Sequence, residues 1–209
     1  MDRIVLTVLF GYLLGSIPFS LIVGKLSKGV DPRDHGSGNL GAANTFRTLG
    51  AAPGVGVLLL DVSKGAMSAL AGSLLWRQGI GLGEVDLMLL GGVSAVCGHI
   101  WTVFASFRGG KGVAAAAGMF LSIAPAALGV SLAVWVLVVA RWRYVSLGSI
   151  AGAVVLPVAV YFTSAGRVNG WESMFGVSLA VAVLVLVAHR SNIRRILQRT
   201  ERKLSLRGG

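Results

Sequence analysis

The stretch FRGGKGVAAAAGMFLSIAPAALGVSLAVWVLVVARWRYV, residues 107–145, decides how often this chain crosses a membrane. Its middle, residues 112–140, runs 29 residues without a charge. That is too long for one upright span, because about 20 apolar residues cross the hydrocarbon core. Ala124 precedes Pro125, and proline disfavours helical geometry in the residue before it. Both flanks are basic, with Arg108 and Lys111 on one side and Arg141 and Arg143 on the other. Basic segments stay on the cytoplasmic side of a membrane. The run between them must therefore go out and come back, as a hairpin of two short helices turning near Pro125.

Working outward, five more apolar runs lie at 4–24, 51–75, 86–106, 146–163 and 172–188. The basic segments 25–50, 107–111, 141–145 and 189–209 hold fifteen of the nineteen Lys and Arg residues. Segments 76–85 and 164–171 hold one Arg each. This parity predicts an all-α polytopic membrane protein of seven transmembrane helices, N-terminus outside and C-terminus cytoplasmic. Residues 1–199 read as a single seven-helix membrane domain and 200–209 as a basic cytoplasmic tail. The N-terminal apolar stretch is long for a signal core and no cleavage site follows, so a retained first span is expected.

Composition agrees. The 209 residues are 55% hydrophobic and only 13% charged, about half the charged share of a soluble domain. The net charge of +11 is gathered at loops, and seven cations fall in the last twenty residues. That placement suits anionic lipid headgroups and argues against nucleic acid as a partner. Cys97 is the single cysteine, so no intrachain disulfide and no cysteine metal cluster can form. Of eight acidic residues, only Asp61 lies deep in an apolar run. No metal and no cofactor are expected.

Four unusual segments gather on the basic side. They are DPRDHGSGNLGAANTFR (31–47), GHIWTVFASFRGGKGVA (98–114), RWRYVSLGS (141–149) and HRSNIRRI (189–196). All three histidines, His35, His99 and His189, fall inside them. The spans after the first three segments start at this face. A helix start presents unpaired N–H groups and partial positive charge, an anion site in waiting. Glycines in front of it admit phosphate oxygens, and Lys111 adds a full charge. GGKG is not a P-loop, because Gly112 stands where Ser or Thr is needed. Taken singly, each segment reads as a surface turn with orienting cations; their co-location points to phosphate. Asp61 and Lys64 form an i, i+3 pair, either a helix brace or a functional pair.

GSGNLGAAN, GHIWTVFASFRGGKGVA and HRSNIRRI, in this order and spacing, resemble the bacterial acyl-phosphate:glycerol-3-phosphate acyltransferases. LLLDVSKG and RYVSLGS extend the resemblance nearly end to end. It implies a multi-pass enzyme of the bacterial cytoplasmic (inner) membrane, acting in phospholipid synthesis with its active site facing the cytoplasm. Its partners would be membrane lipid, sn-glycerol 3-phosphate and a fatty acyl phosphate, its products lysophosphatidic acid and inorganic phosphate. Carried over by residue, the glycerol-phosphate pocket falls on Ser37, Arg47, Lys111, His189 and Asn192, with Asn39 and Asn44 nearby. A serine of VSLGS, Ser146 or Ser149, belongs to the same pocket. Gly109, Gly110 and Gly112 would hold the acyl phosphate through backbone N–H groups. Lys111, His189, Ser37 and Asn192 are the expected catalytic residues. The resemblance departs at Ala115, where Thr is usual.

An acyl phosphate is already activated, so alignment and oxyanion stabilisation are the main tasks. His189, His99 or the donor's own phosphate would take the hydroxyl proton, by direct transfer without an acyl-enzyme. A transporter of a phosphorylated solute with Asp61 as ion site is the competing reading, but such proteins place their sites near the midplane. A purely structural scaffold leaves the histidine-bearing segments unexplained.

Overall fold

Proline and glycine set where the apolar runs are interrupted, and the interruptions position the site. The computed structural model describes residues 2–78 and 81–204, whose regular structure is entirely helical. In chain order the α-helices are α1 Asp2–Gly15, α2 Phe19–Lys28, α3 Ala42–Leu49, α4 Ala51–Leu75 and α5 Glu84–Ile100. They continue as α6 Val113–Ile123, α7 Pro125–Trp142, α8 Val145–Ser164, α9 Trp171–Ala188 and α10 Arg190–Leu197.

The expected single helix over 4–24 is broken in two. Pro18 has no N–H to give to the preceding turn, and α1 stops at Gly15 before α2 begins at Phe19. The break exposes two carbonyls. Ser16 O accepts the Thr102 hydroxyl, and Ile17 O accepts the Lys64 ammonium at 3.0 Å. A second break falls where Ala124–Pro125 predicts it, dividing the long run into α6 and α7.

Among the described residues, six stretches are long and apolar enough to cross a membrane, Asp2–Lys28 being the first. α6, with 11 residues, is shorter; at 1.5 Å per residue it reaches roughly half the hydrocarbon thickness.

The chain divides into two compact units, Met1–Ile123 and Ala124–Gly209. In the first, α4 packs along α1, α3, α5 and α6, and α1 along α5. In the second, α8 packs between α7 and α9, with α10 against the end of α9. Glu201 and Leu204, expected in a tail, are built into this unit, whereas 205–209 lie outside the described residues.

Small and polar residues line the closest helix contacts and many large apolar ones face outward, although Phe120, Leu87 and Met119 are fully buried. On α1 the buried residues are Thr7, Gly11 and Gly15, four apart, while Leu6, Leu9, Phe10 and Leu13 are exposed. Lipid tails reward no burial of leucine, so helices associate through close backbone approach and polar contacts. The α4–α6 seam shows the consequence. A Cβ added at Gly65 would collide with the Ala115 carbonyl, and Ala115 is fully buried. The residue that stands in place of the usual Thr therefore belongs to a helix seam.

Gly65→Leu should overpack this seam at a cost of about 1–3 kcal/mol or more. The unfolding midpoint of the purified protein in detergent should fall. Leu59→Ala, on the outward face of the same helix (Leu59 is 62% exposed), should leave it nearly unchanged.

Candidate active site

In the first unit the glycine stretch is a tight turn folded back onto the end of α5. Ser106 and Phe107 both take left-handed backbone angles, φ 54° and 59°, a conformation that non-glycine residues rarely hold. The chain then returns so that Gly109 N–H donates to Ile100 O (3.0 Å) and Gly110 N–H to His99 O (2.9 Å). This corrects the expectation that Gly109 and Gly110 offer their N–H groups to a phosphate: both donors are spent on carbonyls. Their smallness serves contact instead. A Cβ at Gly110 would strike His99 Nε2. Gly112 follows at φ 81°, and α6 starts at Val113. The first N–H groups of α6 have no partner in their own helix, and the positive end of its dipole lies here. Half-buried Lys111 stands immediately before it. Attraction for an anion therefore centres on Lys111, Gly112 and the start of α6.

The first motif folds beside this turn. Asp31 caps the 3₁₀ turn Pro32–Asp34 and binds the Arg33 guanidinium, with 2.6 Å at the shortest contact. The Arg33 hydrogen bonds hold the Asp31 carboxyl below its ordinary value against the opposing effect of burial. Asn44, expected near the substrate, is buried and fully used within its own loop. Its Nδ2 donates to Pro32 O and His35 O, and its Oδ1 accepts Ser37 N–H and Ser37 Oγ. Asn44 thus shapes the loop that presents Ser37, which is exposed. Asn39 bridges the two motifs, its Nδ2 donating to Gly109 O at 3.3 Å. Arg47 sits half-buried on α3.

The Asp61–Lys64 pair forms as the i, i+3 spacing predicts, at 2.9 Å. A third member joins it: His99 Nδ1 lies 3.4 Å from the same Asp61 oxygen.

In the second unit the two candidate serines separate. Ser149 Oγ donates to Val145 O of its own helix, whereas Ser146 Oγ donates to Glu201 Oε1 at 2.7 Å. Asn192 Nδ2 donates to that same oxygen at 2.7 Å, and Arg195 Nε to Glu201 Oε2 at 2.7 Å. Glu201 was not among the expected site residues; its only signal was being the lone carboxylate among the seven terminal cations. Arg199, at φ 58°, turns the chain back so that Glu201 reaches them. Leu204 N–H then donates to Arg143 O at 2.7 Å, and the Arg143 guanidinium donates to Leu204 O. His189 is buried at the α9–α10 junction. Its Nδ1 lies 2.9 Å from Val185 O; a carbonyl only accepts, so Nδ1 carries the proton. In a neutral imidazole protonated at Nδ1, Nε2 is the acceptor nitrogen.

The fold and these clusters define an all-helical integral membrane protein with a cationic, glycine-walled turn at a helix start. A family model described as Glycerol-3-phosphate acyltransferase matches residues 5–199. The glycerol-3-phosphate acyltransferase of Trichlorobacter lovleyi is 45% identical over 193 residues, covering 92% of this chain and 93% of the relative. That of Chlorobium phaeovibrioides is 40% identical over 221 residues, 94% of each. The crystal structure of PlsY (YgiH), an integral membrane glycerol 3-phosphate acyltransferase, in its glycerol 3-phosphate form, matches with a TM-score of 0.85. Identity there is 36%, over 97% of this chain and 96% of that one. Its lysophosphatidic acid form matches with a TM-score of 0.83 at the same identity, over 97% and 95%. This chain belongs to the glycerol-3-phosphate acyltransferase family.

Burial alone would raise the Glu201 carboxyl, but hydrogen bonds from Ser146, Asn192 and Arg195 outweigh it and hold the group below its ordinary 4.5. A depressed carboxylate contributes its stability above the unfolded value and loses it as pH falls through the folded one. A fluorophore on Arg202→Cys in a Cys97→Ser background should therefore keep a high anisotropy through neutral pH and lose it only below 4.5. With Glu201→Ala added, the anisotropy should be low throughout.

Proposed function

We propose that this chain transfers a fatty acyl group from acyl phosphate to the 1-hydroxyl of sn-glycerol 3-phosphate, at the cytoplasmic face of a bacterial inner membrane. The products are lysophosphatidic acid and inorganic phosphate. The observation that carries this reading is the junction of Lys111 and the α6 start with the Ser37 loop, made through Asn39 and Gly109. The glycerol 3-phosphate and lysophosphatidic acid forms of the PlsY relative support the acceptor and product assigned here.

In this reading Gly112 and the α6 N-terminus receive the donor's phosphate, with Gly109 and Gly110 shaping the turn and Lys111 beside them for glycerol 3-phosphate. Ser37, Arg47 and Lys111 are the residues of the first unit suited to glycerol 3-phosphate, and Ser146, His189 and Asn192 are the polar candidates of the second. The 1-hydroxyl oxygen attacks the acyl carbonyl carbon, and the carbon–oxygen bond to phosphate breaks with its electron pair leaving on phosphate. The departing phosphate is basic enough to take the hydroxyl proton, so position matters more than a strong protein base. Fixed cations and N–H donors also offset repulsion between two anionic reactants. His189, with Nε2 as acceptor, is suited to orient the hydroxyl.

The charge pattern supports seven crossings, the six long stretches and α6, with the N-terminus outside. Cysteines at Ser37 and Arg167, each in a Cys97→Ser background, should then label from opposite sides of the membrane. Labelling from one side would remove this topology.

Membranes carrying the protein should release phosphate from palmitoyl phosphate only when glycerol 3-phosphate is added. Lys111→Ala should lower kcat/KM by about 10²–10³ while the protein still inserts and purifies normally. Unchanged turnover in that variant would exclude the phosphate-binding role given to Lys111.

A further inference from the structure

The residues between α5 and the glycine turn, WTVFASF (101–107), carry an apolar surface turned out of the protein. Trp101, Val103, Phe104 and Phe107 are all exposed, Phe104 by 58% and Phe107 by 60%. Large apolar side chains gathered so closely mark a surface that something covers.

A loose loop does not account for them, because the segment is pinned along its length. It passes through a 3₁₀ turn, Val103–Ala105, entered from Thr102. Side chains three apart share a face of such a turn. Thr102 and Ala105 take the inner face and are buried, which leaves Trp101 and Phe104 outward. The Thr102 hydroxyl donates to Ser16 O, and the Tyr12 hydroxyl to Trp101 O at 2.7 Å. Ala105 N–H and Phe107 N–H both donate to Thr102 O, at 3.2 and 2.8 Å, and Arg108 N–H donates to Ala105 O at 3.1 Å. These bonds impose the left-handed angles of Ser106 and Phe107, and backbone strain of this kind gathers at functional segments.

What covers the patch follows from its neighbours. The Tyr12 contact joins it to α1, whose Leu9, Phe10 and Leu13 are exposed on the outward face. On its other side stand exposed Arg108 and, past the glycines, Lys111. Aromatic side chains flanked by cations suit the boundary between hydrocarbon and headgroups, with rings among the upper acyl chains and cations at the phosphates.

We propose that residues 101–107 form an interfacial anchor. Trp101, Val103, Phe104 and Phe107 sink into the cytoplasmic leaflet and hold the glycine turn at headgroup depth, where an acyl phosphate reaches it without leaving the bilayer. The link to catalysis rests on the topology and reaction proposed above.

Depth is read from nitroxide labels on the full-length protein in phosphatidylethanolamine–phosphatidylglycerol vesicles. Labels on Phe104→Cys and Phe107→Cys, each with Cys97→Ser, should be relaxed more by oxygen, which dissolves in lipid, than by a water-soluble nickel chelate. Labels on Leu13→Cys and Arg202→Cys give the lipid and aqueous references. Stronger relaxation by nickel at either position overturns the anchor. Shielding from both reagents does so too, since it would mean that protein, such as a second copy of this chain, covers the patch.

Kinetics test the consequence. Phe104→Ser/Phe107→Ser should keep the wild-type unfolding midpoint, neither ring being buried. Its KM for vesicle-borne palmitoyl phosphate should rise about 10- to 100-fold, the loss expected when a reacting group is misplaced. Phe104→Leu/Phe107→Leu restores apolar surface without the rings and should return that KM to within about twofold of wild type. A wild-type KM in the serine variant overturns the proposal, as do equal losses in the serine and leucine variants. Absence of lysophosphatidic acid from the wild type itself overturns the acyl-transfer reading and the link to catalysis, while the labels decide the anchor.

Discussion

A backbone group left unpaired in hydrocarbon costs several kcal/mol, and Pro18 creates that problem in the first apolar stretch. By ending α1 early it turns the Ser16 and Ile17 carbonyls away from a regular ladder. Both are answered from elsewhere in the chain, by Thr102 just past α5 and by Lys64 on α4. Lys64 in turn needs Asp61, and Asp61 brings in His99. One proline thus links three separate helical segments. The last group in that series stands behind the glycine turn.

The same economy governs the helix contacts. With lipid as solvent, leucines gain little by turning inward, so the closest helix approaches fall on Gly, Ala, Ser and Thr, beside a core that still holds Phe120, Leu87 and Met119. Their smallness lets α6 press close to α4 at Gly65 and Ala115. α6 is thereby held by backbone contact, and its N-terminus, with Lys111 in front, is held with it. Packing here positions chemistry.

Much of this was legible in advance. Apolar runs and basic flanks marked the helices because length and hydropathy act locally, and Pro125 marked the α6–α7 break for the same reason. The Asp61–Lys64 pair followed from i, i+3 spacing on one helix. The ordered motifs named Ser37, Lys111, His189 and Asn192 as candidates. Other features were hidden. Asn44 reads like a ligand residue, yet its four hydrogen-bonding positions are consumed by its own loop. Gly109 and Gly110 read as phosphate donors, yet their N–H groups close the turn on Ile100 and His99. Glu201 reads as one acid in a basic tail, yet it holds Ser146, Asn192 and Arg195 together.

By itself, then, the sequence determined the solvent this protein lives in, the rough limits of its long apolar stretches, and the residue types suited to phosphate. Those properties depend on neighbours along the chain, whose spacing a one-dimensional string preserves. Only the tertiary structure decided which donors are already spent and which acid meets which base. Hydrogen bonds saturate, and whether a given N–H or carboxylate is occupied depends on groups that come from far away in the chain: Ile17 with Lys64, Asp61 with His99, Ser146 with Glu201.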